Sequence, residues 1–120
     1  LLVTGATGRV GRLLRHAWSA SPVLWQSRSA PDAAGLVWDF GPDLPARWPA
    51  GAVILHLAGV TRGSAADLAA NVTLARALAD AARRKGAAHV LFASTQAVYR
   101  PGPLTLTETT PPDPVSDYGR

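Results

Sequence analysis

The sequence predicts an α/β fold, a doubly wound parallel sheet of strand order 3-2-1-4-5. Three observations carry that expectation. A short apolar run, Leu1-Leu2-Val3, leads directly into glycines spaced G-x-x-G-x-x-G at Gly5, Gly8 and Gly11, and these open a patterned helix. The strongest apolar run, Ala52 to Leu57, reads as apolar on both faces, as in parallel sheets covered by helices on both sides. The remaining elements follow in the order β-α-β-β-loop-β-α-β, which right-handed crossovers wind into one sheet. There are no internal repeats.

The first helix is expected from Val10, Leu13, Leu14, Ala17 and Trp18, which recur at helical spacing, and should end between Ser19 and Pro22. Val23-Leu24-Trp25-Gln26 reads as the second strand. A loop rich in Ser, Ala, Pro and Gly separates it from a short third strand, Leu36-Val37-Trp38, that ends at Asp39-Phe40. Gly41 to Gly51 carries three prolines and reads as loop with a helical turn. After the fourth strand, Ser64 resembles a helix N-cap with Asp67 three residues on, a capping-box variant. That helix should run to Lys85 and stop at Gly86, with Arg83, Arg84 and Lys85 where its dipole favours cations. Ala88 to Ala93 is the fifth strand. Beyond Tyr99 five prolines exclude ordinary helix and central strand. Trp18 and Trp38 are expected to pack in the core or between elements, and His56 and His89 to lie in or beside buried strands.

Composition narrows the function. A chain of 120 residues, 48% hydrophobic, is one globular domain with a real core. The absence of cysteine removes disulfides, thiolate metal sites and a cysteine nucleophile. The three histidines lack metal-ligand spacing, so no metal is expected. Net charge is +4, but the basic residues are spread with few aromatics between them, which argues against nucleic acid and suits an anionic cofactor or substrate. No signal peptide and no run of transmembrane length is visible, so a cytoplasmic protein without a membrane partner is expected. Methionine is absent, residue 1 lies inside a strand, and the chain stops in polar sequence at Ser116 to Arg120. It is therefore read as an N-terminal piece of a longer chain.

The glycine stretch carries the chemistry. Backbone N–H groups at a helix N-terminus, favoured by the dipole, make an anion site. Gly5 would allow the tight turn, Gly8 the approach of a pyrophosphate to bare backbone, and Gly11 close helix–strand packing. No Lys-Ser/Thr pair follows, which excludes a P-loop, and no G-x-S-x-G elbow is present. The expected ligand is a nicotinamide dinucleotide. Arg28 follows the second strand about twenty residues past the turn, where an acid would bind the ribose of NAD. An arginine there pairs with a 2′-phosphate, so NADP is preferred over NAD. Ser27 and Ser29 would add hydrogen bonds and Arg9 a second cation. Arg28 also reads as an ordinary surface arginine. Asp39, at a strand end, suits an adenine amino group and equally suits a turn. Thr95 and Tyr118 are a candidate catalytic pair: a phenol moves the proton of a carbinol–carbonyl conversion while the hydroxyl orients the substrate oxygen. The crevice is expected at the carboxyl ends of the strands, between the first and the fourth.

These residues resemble the extended short-chain dehydrogenase/reductases, the NAD(P)-dependent sugar epimerase/dehydratase group with a Rossmann fold. Thr4-Gly5-Ala6-Thr7-Gly8-Arg9-Val10-Gly11 resembles the family's cofactor motif. Val53 to Gly59, with Leu57, Ala58 and Gly59 at its end, is similar to the fourth-strand motif beside the nicotinamide-side ribose. Asn71 resembles the asparagine of the following helix, and Asp39 with Phe40 falls at the family's adenine contact. Phe92 to Tyr99 resembles the fifth-strand motif whose active-site hydroxyl is Thr95 here. Ser116-Asp117-Tyr118-Gly119 resembles the run into the Tyr-x-x-x-Lys pair. The family lysine would fall beyond Arg120, and Arg100 replaces the glycine usual after Val-Tyr. The resemblance implies hydride transfer at a carbinol or carbonyl carbon of a nucleotide sugar or similar small molecule, completed by the missing C-terminal part. It also implies dimerisation through flanking helices. A non-catalytic NADP-sensing or protein-interaction module, and a structural domain without dinucleotide, share the same fold signals.

Overall fold

The computed structural model describes residues 1–29, 35–103 and 105–120. Its elements are β1 (Leu2–Thr4), α1 (Arg9–Ala17), β2 (Leu24–Ser27), β3 (Leu36–Val37), β4 (Val53–His56), α2 (Ala65–Arg84) and β5 (His89–Phe92), followed by a 3-10 turn over Gln96–Val98. The strands form one five-stranded parallel sheet in the order β3-β2-β1-β4-β5, as the alternation of elements predicts. The loop expected between the second and third strands lies, over 30–34, outside the described residues.

β1 is displaced by one residue from its apolar run. Thr4 joins it because its backbone pairs with His56 of β4, while Leu2 and Val3 are wholly buried against Ile54 and Leu55. The core holds Leu2, Leu36, Ile54 and Leu78 with an aromatic cluster. Trp38 sits 4.4 Å from the Phe40 ring and meets Trp48 edge-on at 5.1 Å. The proline-rich stretch from Gly41 to Gly51 thus contributes Trp48 to the interior. It contains a hydrogen-bonded turn from Trp48 N to Pro45 O rather than a helical turn. Three prolines leave too few free N–H groups there for a helix.

α2 starts with a complete capping box: Ser64 Oγ accepts from Asp67 N, and the Asp67 carboxylate accepts from Ser64 N. It buries Leu78, Ala81 and Ala82. In its last turn Arg84 donates to Pro42 O at 2.8 Å and Arg83 pairs with Asp80. Trp18 packs against Trp25 of β2 at 6.3 Å, the inter-element role expected of it. The apolar stripe of α1 is only partly covered, since Val10 and Leu13 remain 53% and 64% exposed.

β5 corrects the sequence reading. His89 lies beside β4, paired with Val53, but not in a buried strand: the whole of β5 is exposed, with Phe92 at 56%. Among the described residues the strand is the sheet edge, hydrogen-bonded to β4 alone, and an apolar run reads the same at an edge as in the middle. No described helix is long and apolar enough to cross a membrane.

Candidate functional site

The parallel register brings the carboxyl ends of the central strands side by side. Thr4 pairs with His56, and His56 with Phe92, so the segments after β1, β4 and β5 emerge together. This is where the strand order reverses and a doubly wound sheet opens a crevice.

The first of these segments is the glycine turn. Gly5 lies at φ +75°, and a Cβ on it would stand 2.7 Å from Ala58 N. A Cβ on Gly11 would stand 2.3 Å from Gly5 O. Both glycines are therefore required, Gly5 for the turn to touch the segment after β4 and Gly11 for α1 to touch the turn. Gly8 is less confined, with Gly5 O 3.2 Å from its would-be Cβ. Gly8 is the N-cap of α1, and no side chain caps the helix and no acid occupies its first turn. The amides at this end lack intrahelical acceptors, the condition for an anion site. Thr7, Gly8, Arg9 and Val10 are all exposed around it.

Two buried polar side chains hold the turn in place. Gln26, 1% exposed, accepts from Gly5 N through Oε1 at 3.0 Å and donates through Nε2 to Trp38 O. Thr4 Oγ1 accepts from Leu57 N and Ala58 N at 3.2 and 3.3 Å and lies 2.7 Å from His56 Nδ1. With its lone pairs engaged, the hydroxyl donates its proton to Nδ1, so His56 carries its own proton on Nε2. Burial lowers the His56 pKa to about 4, and its ring packs between Phe40 and Phe92. Neither Gln26 nor His56 stands out in the sequence as a site residue. The available signal is a polar residue inside an otherwise apolar strand.

The segment after β4 is tied to α2. Asn71 Oδ1 accepts from Val60 N at 2.7 Å and its Nδ2 donates to Val60 O at 2.8 Å. Its amide thus holds the Leu57–Val60 strap from below. Beyond β5, Thr95 caps the 3-10 turn by accepting from Ala97 N at 3.2 Å. A groove of about 670 Å³ joins these parts, lined by Val10, Leu57 to Gly59, Asn71, Thr95 and Tyr118 among others. Thr95 and Tyr118, far apart in the chain, face one cavity of a size that suits a small-molecule ligand.

Other expected residues lie outside this groove. Arg28 is exposed just past β2, on the far side of β1 from the groove. Ser27 is buried, and its hydroxyl turns back onto Ser29 O, so it is not available to a phosphate. Asp39 uses Oδ1 to accept from Gly41 N at 2.9 Å, the turn role weighed for it. Phe40 commits its ring to the core at φ +68°, leaving its backbone for any ligand contact.

The sequence profile of the NAD dependent epimerase/dehydratase family matches residues 48–120. No curated protein matches the chain. Solved structures do. UDP-N-acetylglucosamine 4-epimerase from Bacillus cereus is 26% identical with a TM-score of 0.77, covering 98% of this chain and 43% of its own. Uronate dehydrogenase from Agrobacterium tumefaciens is 26% identical with a TM-score of 0.78, over 98% of this chain and 49% of its own. A short-chain dehydrogenase/reductase superfamily protein from Agrobacterium tumefaciens with bound NAD is 30% identical with a TM-score of 0.75, over 98% of this chain and 40% of its own. The chain therefore spans less than half the length of each of these structures.

Proposed function

Because the chain belongs to the NAD dependent epimerase/dehydratase family, we propose that it is the dinucleotide-binding part of an enzyme that oxidises or reduces a carbinol or carbonyl carbon of a sugar or nucleotide sugar. The observation that carries this reading is the single groove that unites Thr95 and Tyr118 with the strap after β4, beside an uncapped helix end. The residues present fit the cofactor: Gly5 and Gly11 leave no room for side chains at the turn, and α1 presents bare amides.

Nicotinamide, when bound, exchanges a hydride with the substrate carbon. Everything else belongs to the chain. The turn amides and the α1 dipole would hold the pyrophosphate, with Thr7, Gly8, Arg9 and Val10 as the residues that present this end of the helix. Leu57, Ala58 and Gly59 form the wall beside the nicotinamide-side ribose, kept in place by Thr4 and Asn71. Thr95 orients the substrate oxygen and Tyr118 gives or takes its proton. Arg28 faces the adenosine end and selects the 2′-phosphate, which makes NADP the preferred cofactor.

Assays of the protein that contains this chain, with NAD or NADP and a panel of UDP-sugars and free uronates, test the proposal. Turnover should fall at least about 100-fold in Tyr118→Phe and about 10-fold or more in Thr95→Ala, the range of general acid–base contributions. Cofactor affinity should be little changed in both. Full turnover in Tyr118→Phe would sink the assignment.

A further inference from the structure

We propose that Arg100 is a positioning residue that acts, through Asp113, to hold Tyr118 opposite Thr95. The inference rests on the proton-transfer role given to Tyr118 above. Between the 3-10 turn and Tyr118 the described residues form no helix or strand, and Arg120 N donates to Ser116 O at 3.1 Å around Tyr118. A continuous set of contacts ties this stretch to the 3-10 turn. The Arg100 guanidinium meets the Asp113 carboxylate with two hydrogen bonds, Nε to Oδ2 at 2.6 Å and Nη2 to Oδ1 at 3.2 Å. Asp113 N donates to Val98 O at 2.9 Å, so the same residue is bound to the 3-10 turn by its backbone. That turn is the one capped by Thr95. Six residues on, Gly119 presses against the turn so closely that a Cβ would stand 2.1 Å from Ala97 O. Gly119 N in turn donates to Ser116 O at 3.0 Å, which fixes the peptide next to Tyr118. Thr95 and Gly119, the neighbour of Tyr118, thereby meet the same three-residue turn.

The ion pair is what makes this closure directional. Residues 100 and 113 are thirteen apart in the chain, and the residues between them include Pro101, Pro103, Pro111 and Pro112. Prolines restrict the unbound loop, so a two-point guanidinium–carboxylate contact selects one of few closures. Hydrogen bonding to Arg100 holds the Asp113 carboxyl below the usual carboxylate range, so the pair is charged at neutral pH. Both side chains are exposed. The contact is therefore a modest aligner rather than a source of fold stability.

The test uses Arg100→Gln, Asp113→Asn and the swapped pair Arg100→Asp with Asp113→Arg, in the whole protein. Amide hydrogen exchange at residues 113 and 119 reports the closure without reference to catalysis. Turnover, KM and the Kd of NADPH report its consequence. We expect faster exchange at both amides in each single variant, and turnover lowered about two- to fivefold, the reach of an exposed ion pair. KM and cofactor Kd should stay within about twofold, a split that general loosening of the fold would not give. The swap should recover at least half of the lost turnover and slow the exchange again. Unchanged exchange or unchanged turnover in Arg100→Gln overturns the proposal, as does a swap that restores neither. Full turnover in Tyr118→Phe would remove the proton-donor role and with it the catalytic half of the inference, while exchange would still report the closure.

Discussion

The hydroxyl of Thr4 joins β1 to the strap after β4 with hydrogen bonds to two backbone amides and to His56. That arrangement works only with a neutral imidazole, because a protonated Nδ1 has no lone pair with which to accept the hydroxyl proton. The folded His56 pKa of about 4 lies below its ordinary 6.5, so the unfolded chain binds the extra proton first. The stability this residue contributes is complete above pH 6.5 and is lost as pH falls towards 4. The loss amounts to roughly 3 kcal/mol at about 1.4 kcal/mol per pKa unit. Urea unfolding at a series of pH values should show that slope, and His56→Asn should flatten it between pH 6.5 and 4. At the adenosine end, Arg28→Ala should weaken NADPH about tenfold and leave NADH within twofold, as a charge-assisted contact to one extra phosphate requires. Equal losses for both, measured by fluorescence titration, would assign Arg28 to the surface alone.

At the level of the element, the βα turn separates two kinds of glycine. Gly11 is confined by Gly5 O and by Ala6, whereas Gly8 has far less crowding around it. Gly11→Ala should therefore cost about 1–3 kcal/mol of folding stability, because backbone must shift to admit the methyl group. Gly8→Ala should cost less than Gly11→Ala, because only Gly5 O at 3.2 Å has to give way, and should weaken dinucleotide binding about tenfold or more, since its methyl would project where phosphate approaches. If Gly8→Ala binds NADPH normally, the turn is a structural one. The second helix makes a related point. Its capping box and basic last turn follow from sequence-local rules, but the bonds of Asn71 to Val60 depend on a strap that only the fold brings above it.

For the whole molecule, apolar surface is open along β5, the sheet edge among the described residues. Val90, Leu91 and Phe92 of β5 are about half exposed, and so are Val10 of α1 and Val72 of α2. Exposed apolar strand edges promote association. The 120-residue chain expressed by itself should bind a hydrophobic dye and self-associate at micromolar concentration. Leu91→Lys should reduce both, as read by dye fluorescence and light scattering. A monodisperse, dye-silent chain would contradict this.

Thr95 and Tyr118 stood out through the family resemblance and not through spacing alone, whereas the strand order, the glycine turn and the capping box were legible in the sequence, because each depends on a local period or on residue types at fixed spacing. The resemblance to the epimerase/dehydratase group was legible for the same reason. Tertiary structure alone decided that β5 is an open edge, that Ser27 turns inward, that Gln26 and His56 support the turn, and that Arg100 reaches Asp113. Burial and hydrogen-bond partnership are properties of neighbours in space, and a linear pattern states which side chains are apolar or polar without stating what will cover them.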